Sequence, residues 1–111
     1  MTTKEIEIQL ALGTLSFDDR LKLAENKKTP KKILTILSTD KYPFIREHIA
    51  ENPNTPIDIL IKLSTDENGY VRGCVAKNLN TPINILKKLS TDENGWVRWG
   101  AKYNPNSKRL K

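Results

Sequence analysis

No apolar run in the 111 residues is long enough to cross a bilayer. Cysteine occurs once, at Cys74, which excludes an intrachain disulfide and a Cys-only metal or iron–sulfur site. Histidine also occurs once, at His48, and neither residue has a partner at catalytic or metal-ligand spacing. No glycine-rich phosphate loop follows a strand pattern, because no strand pattern exists. The first residues, MTTKEIEIQLALG, alternate charge with aliphatics and lack the unbroken apolar stretch of a secretory signal. These absences predict a soluble, cytoplasmic protein that is not an enzyme and needs neither cofactor nor metal. Acidic residues run short toward the C-terminus: residues 68–111 hold only Asp92 and Glu93, against nine Lys and Arg. The formal charge of +6 therefore comes entirely from that part, which could attract an anionic partner.

What the chain does have is an internal repeat. Asn52–Lys77 and Asn78–Tyr103 align without a gap and are identical at 17 of 26 positions. The preceding window, Asn26–Glu51, matches Asn52–Lys77 at 11 of 26. The organisation expected is one domain over residues 1–111: capping helices in 1–25, repeats at 26–51, 52–77 and 78–103, and a tail at 104–111.

Each repeat is punctuated for two short helices. Thr29-Pro30, Thr55-Pro56 and Thr81-Pro82 predict an N-cap hydroxyl followed by proline at the first helical position. Aliphatics at helical spacing follow: Ile33, Leu34, Leu37; Ile59, Leu60, Leu63; Ile85, Leu86, Leu89. This helix A spans about Pro56–Ser64 in the middle unit, and Ser-Thr-Asp stops it. Helix B covers about Tyr70–Lys77, with Val71, Cys74 and Val75 inward, and Asn52, Asn78 and Asn104 end its three copies. Neither helix reaches the ~12–15 residues at which an isolated helix becomes marginal in water. Stacking must supply the missing burial, so the fold expected is an all-α solenoid. Lys4–Leu12 and Phe17–Glu25, split at Gly13, read as a diverged first pair in which Ser16 caps and Arg20 keeps the register of Arg46, Arg72 and Arg98. The tail dissolves after Asn104-Pro105-Asn106 with no capping helix, leaving a stacking face that is open or occupied by a partner.

The order NPNTP, paired aliphatics, leucine, Asp, Val-Arg and NxNTP again resembles the variant leucine-rich repeat proteins, relatives of the HEAT-like helical repeats. The resemblance covers about residues 26–106. It implies short alternating helices, some 3₁₀ in character, stacked into a right-handed superhelix. The cysteine-rich iron–sulfur module found in some members has no counterpart here. The longer HEAT-like DNA glycosylases give no case for that chemistry either.

Two sets of residues carry the functional expectations. Asp40/Arg46, Asp66/Arg72 and Asp92/Arg98 are each six apart. They read either as guanidinium groups aimed at phosphates or carboxylates, or as a ladder within and between units; one-for-one matching favours the ladder. Phe44, Tyr70 and Trp96 share one slot and are expected to pack over the turn. In the last unit Trp96, Trp99 and Tyr103 interleave with Arg98 and Lys102. Such rings shield an end, meet a second copy, or stack on bases between neutralised phosphates. Lys87, Lys88, Lys108, Arg109 and Lys111 extend the positive region. His48 and Cys74 fall on inward slots and read as buried fillers.

The leading expectation is a non-catalytic repeat module that binds another macromolecule, a protein, through the helix B face and the basic aromatic C-terminal surface. Arg72, Trp96, Arg98, Trp99, Lys102 and Tyr103 are its candidate partner-binding residues. Nucleic-acid binding through the same surface and homodimerisation through the C-terminal face are the alternatives.

Overall fold

The computed structural model describes residues 1–110, with side chains through Lys108. Lys111 and the side chain of Arg109, both counted in the positive region, lie outside the described residues. Among the described residues the chain is all-helical: α1 (Thr3–Leu12), α2 (Phe17–Glu25), α3 (Lys31–Leu37), α4 (Pro43–Glu51), α5 (Ile57–Leu63), α6 (Gly69–Lys77), α7 (Ile83–Leu89), α8 (Gly95–Tyr103) and a 3₁₀ helix, Pro105–Leu110. None of these helices is long and apolar enough to cross a membrane.

The main contacts run along one row, α2 to α4 to α6 to α8. On its other side α3, α5 and α7 each wedge against two successive helices of that row, and α1 lies on α3. The result is 46 Å long and 21 by 17 Å across. The aliphatic triplets of α3, α5 and α7 are buried, and they meet Ile45, Ile49, Val71, Cys74, Val75, Val97 and Ala101 from the row in one continuous core. Each buried aliphatic of the larger kind contributes roughly 1.5–3 kcal/mol, which such short helices need in order to persist.

The helix ends use polar chemistry that differs from the expected pattern. The helices begin after the proline, not at it: Pro30, Pro56 and Pro82 are extended (ψ 145° to 150°) and carry no side-chain cap bond. The threonine before each proline does not cap forward. Its hydroxyl donates back to a carbonyl near the end of the preceding helix, Thr29 to Leu23, Thr55 to Ile49 and Thr81 to Val75, each at 2.6 Å. A preceding helix end, with four carbonyls lacking intrahelical partners, offers a better acceptor than the proline-bearing start offers a donor. The Ser-Thr of Ser-Thr-Asp likewise satisfies the last turn of helix A, as Ser64 and Thr65 donate to the carbonyls of Ile61 and Lys62. In the first pair, Ser16 accepts from the Asp19 amide at 3.1 Å as expected, and Gly13 ends α1 at φ +71°, where a Cβ would be strained.

The asparagine after each helix B does more than stop it. Asn52 Nδ2 donates to the carbonyls of Ala24 (2.9 Å) and Asn26 (3.0 Å). Asn78 repeats this with Ala50 and Asn52, and Asn104 with Ala76 and Asn78. Each Oδ1 meanwhile accepts from the amide two positions on. A second rail runs outside it: Asn54, Asn80 and Asn106 donate to the carbonyls of Thr29, Pro53 and Leu79. Both rails extend into the tail. The tail therefore does not dissolve; Pro105–Leu110 is a 3₁₀ helix against α7, with the Ser107 hydroxyl donating to Lys102 and Asn104 carbonyls.

Gly73 has a spatial reason. A Cβ there would overlap Cζ3 and Cε3 of Trp96, whose ring lies across the Gly73 backbone. Gly73→Ala is expected to cost about 1–3 kcal/mol, the usual range for overpacking. It should also push Trp96 toward solvent, shifting the tryptophan emission to the red. An unchanged spectrum and midpoint in a urea titration would show that the ring does not depend on this glycine.

Candidate functional site

The arginines fall into a series of rungs. Each guanidinium is anchored through Nη1 to a backbone carbonyl just before its own helix: Arg20 to Leu15, Arg46 to Asp40, Arg72 to Asp66 and Arg98 to Asp92, at 2.7–2.8 Å. The other edge of the first three reaches forward to the aspartate of the next unit. Arg20 Nε donates to Asp40 at 2.7 Å. Arg46 forks onto Asp66 at 2.8 and 3.1 Å, and Arg72 onto Asp92 at 2.9 and 3.2 Å. Each of these aspartates also accepts from the amide two positions later, which fixes the turn into helix B. One carboxylate thus organises a turn and ties it to the preceding unit.

The electrostatics follow from this geometry. The hydrogen bond to Asp66 raises the Arg46 pKa against the opposing effect of burial, and Asp92 does the same for Arg72. Burial pushes Asp92 upward, but hydrogen bonds from Arg72 and the Asn94 amide, with the charges of Arg72 and Arg98, outweigh it and leave the carboxyl below its ordinary range.

Arg98 is the exception. No described residue accepts from its Nε or Nη2; Nη1 alone is engaged, on the carbonyls of Asp92 and Glu93. Arg98 is exposed, whereas the side chains of Arg72 and Asp92 are only 12% and 11% exposed.

The structure divides the six candidate residues. Arg72 is consumed in a rung. Trp96 packs backward, against Tyr70 (ring centroids 5.6 Å apart) and under the Lys77 ammonium (5.3 Å). Trp99 and Tyr103 pair at 5.2 Å and stay 54% and 61% exposed, with Lys102 Nζ 5.5 Å from the Tyr103 ring. Arg98, Trp99 and Lys102 line one open cleft of about 550 Å³ together with Ser90, Ala101, Ser107 and Lys108. Four of the six thus share one end of the molecule. The aromatic slot is not uniform: Phe44 and Tyr70 remain exposed, and only Trp96 packs against the core.

His48 and Cys74 also differ from a pair of simple fillers. His48 is half-buried, edge-on to Phe44 at 4.8 Å and 3.9 Å from a Glu25 oxygen. Cys74 is buried as expected, yet its thiol donates to Glu51 at 3.3 Å. Burial, and then the nearby Glu51 carboxylate, push that thiol far above its ordinary range, so it carries no thiolate at neutral pH. Nearby, burial raises the Glu47 carboxyl, aided by Glu51 and opposed by His48. Lys87 and Lys88 project from α7 into solvent as expected. Comparison with protein-family models, with curated proteins and with solved structures returned no match for this chain.

Proposed function

We propose that residues 1–111 form a single right-handed α-solenoid of variant leucine-rich, HEAT-like repeats, acting in the cytoplasm as a non-catalytic module that binds another protein. The observation that carries this reading is the contrast between the arginines. Arg20, Arg46 and Arg72 are spent on internal aspartates, while Arg98 stands beside half-exposed Trp99 with its fork uncommitted among the described residues. Aromatic and arginine side chains together are the residue types that dominate protein-interface energetics. The helix B side, where Trp99, Lys102 and Tyr103 project, is the recognition face in this reading.

Trp99→Ala and Lys102→Glu are expected to weaken binding of a partner captured from the native host by at least about tenfold. The measurement is titration calorimetry with that partner against the unmodified protein and each variant. Unchanged affinity in both variants would remove this surface from the proposal. A second reading, nucleic-acid binding, draws on the exposed ring of Trp99 among Arg98, Lys102 and Lys108. It requires a mobility shift at low salt that fades as salt is added.

A further inference from the structure

We infer that the α8 end is a receptor for an aspartate-bearing acidic segment of a partner protein, with the Arg98 guanidinium as its docking fork. The inference rests on the binding-module reading and supplies the chemistry of the partner. Arg98 has the placement of the rung arginines: its Nη1 holds the Asp92 carbonyl at 2.7 Å, as Arg46 and Arg72 hold those of Asp40 and Asp66. The guanidinium is therefore oriented before any ligand arrives. In Arg46 and Arg72 the free edge, Nε and Nη2, takes both oxygens of one aspartate. Among the described residues that edge of Arg98 has no acceptor. The 3₁₀ helix Pro105–Leu110 lies mainly on α7, and its Ser107 and Lys108 form one wall of the α8 cleft.

The charge of the cleft selects the occupant. Among the described residues, Ser90, Arg98, Trp99, Lys102, Ser107 and Lys108 line it with three cations and no carboxylate. A planar fork beside hydroxyls and a ring suits a carboxylate carried on a peptide. A second copy fits poorly in either orientation. Face to face, Arg98, Lys102 and Lys108 would meet their own images. Head to tail, the position one repeat before Asp40 is Thr14, so the incoming end offers no carboxylate at the rung position; its exposed Asp18 and Asp19 lie four and five residues further on.

The chain itself supplies the probe. The hexapeptide Ser-Thr-Asp-Glu-Asn-Gly occurs at Ser64–Gly69, where it feeds Asp66 to Arg46, and again at Ser90–Gly95, where it feeds Asp92 to Arg72. Acetylated and amidated, this peptide is titrated into ¹⁵N-labelled protein while the arginine Nε–H resonances are followed. The Arg98 signal is identified by its disappearance in Arg98→Lys, a variant that keeps the charge and removes the fork. The Arg98 resonance is expected to move at millimolar peptide, with the Asn version of the peptide and the Arg98→Lys protein each binding at least about fivefold more weakly. Equal responses to the Asp and Asn peptides, no movement of Arg98, or full binding by Arg98→Lys each overturn the inference. Movement driven by an oligothymidylate at lower concentration than the peptide overturns it in favour of nucleic acid. Movement on raising protein concentration alone overturns it in favour of a second copy. If the peptide arm fails while Trp99→Ala still weakens the captured partner, the acidic occupant is wrong and the binding-module reading stands.

Discussion

Replacing Asn78 by alanine is expected to lower the unfolding free energy by about 3 kcal/mol. The amide spans two units: it donates to the Ala50 and Asn52 carbonyls at 2.8 and 3.3 Å and accepts from the Asn80 amide at 2.8 Å. Alanine leaves all three backbone groups without that partner, and the Asn78 site is buried. Each buried polar group stripped of its partner costs about 1–3 kcal/mol, and partial access of water to the Asn80 amide trims the sum. In a chain of this size the melting temperature should fall on the order of 10–20 °C. Two controls separate the rail from a generic effect of losing asparagine. The Asn26 side chain holds the same register but bonds only to the Lys28 amide, and exposed Asn80 donates to one carbonyl. Either one changed to alanine should cost about 1 kcal/mol or less. Equal losses at Asn26 and Asn78 in urea titrations would refute the rail as the source of the effect. Asn78→Asp should be worse than alanine at neutral pH, because a carboxylate would face two carbonyls. It should recover on acidification, when the carboxyl again has a proton to donate.

The second large effect concerns the rungs. Arg72→Ala strands the largely buried Asp92 carboxylate and should cost about 3 kcal/mol, the low end for breaking a buried pair. Arg98→Ala, whose exposed guanidinium donates to the carbonyls of Asp92 and Glu93, should cost under about 0.5 kcal/mol. Removing both partners, as in Arg72→Met with Asp92→Leu, should recover most of the Arg72→Ala loss. The pH dependence has a definite sign. Asp92 has a lower pKa folded than unfolded, so its stabilisation is complete above the ordinary aspartate value of about 4 and is lost as pH falls through the lowered folded value. The gap between the unmodified protein and Arg72→Ala should therefore be wide at neutral pH and narrow below about pH 4. A gap that is constant with pH would mean that Arg72 acts through packing alone.

The two kinds of information separate clearly at individual residues. Aliphatic triplets such as Ile59, Leu60 and Leu63 are legible as a buried face because helical spacing is a local property. Ser16 is legible as a cap for the same reason, since its bond lies within one turn. Thr81 is misread by a local capping rule, which cannot see that the Val75 carbonyl is the better acceptor. Asn78 is legible only as a stop signal, because its amide donates across a unit boundary to Ala50 and Asn52. Its signal is nonetheless present, as an asparagine recurring at every unit boundary where glycine would have served a plain helix end. The tail misleads because Ser107-Lys108 lacks the Thr-Pro pair, although its two asparagines already continue the rails.

Sequence by itself determined the short helices, their pairing, the aliphatic core positions, the matched supply of aspartates and arginines, and the concentration of positive charge toward the C-terminus. Tertiary structure alone decided that each paired arginine reaches forward to the aspartate of the next unit, that Trp96 turns back over Gly73 while Trp99 faces out, and that the Arg98 fork meets no acceptor among the described residues. The reason is geometric. Composition and period state which groups exist and how often they recur, but a hydrogen bond between groups in successive units depends on how one unit is rotated onto the next.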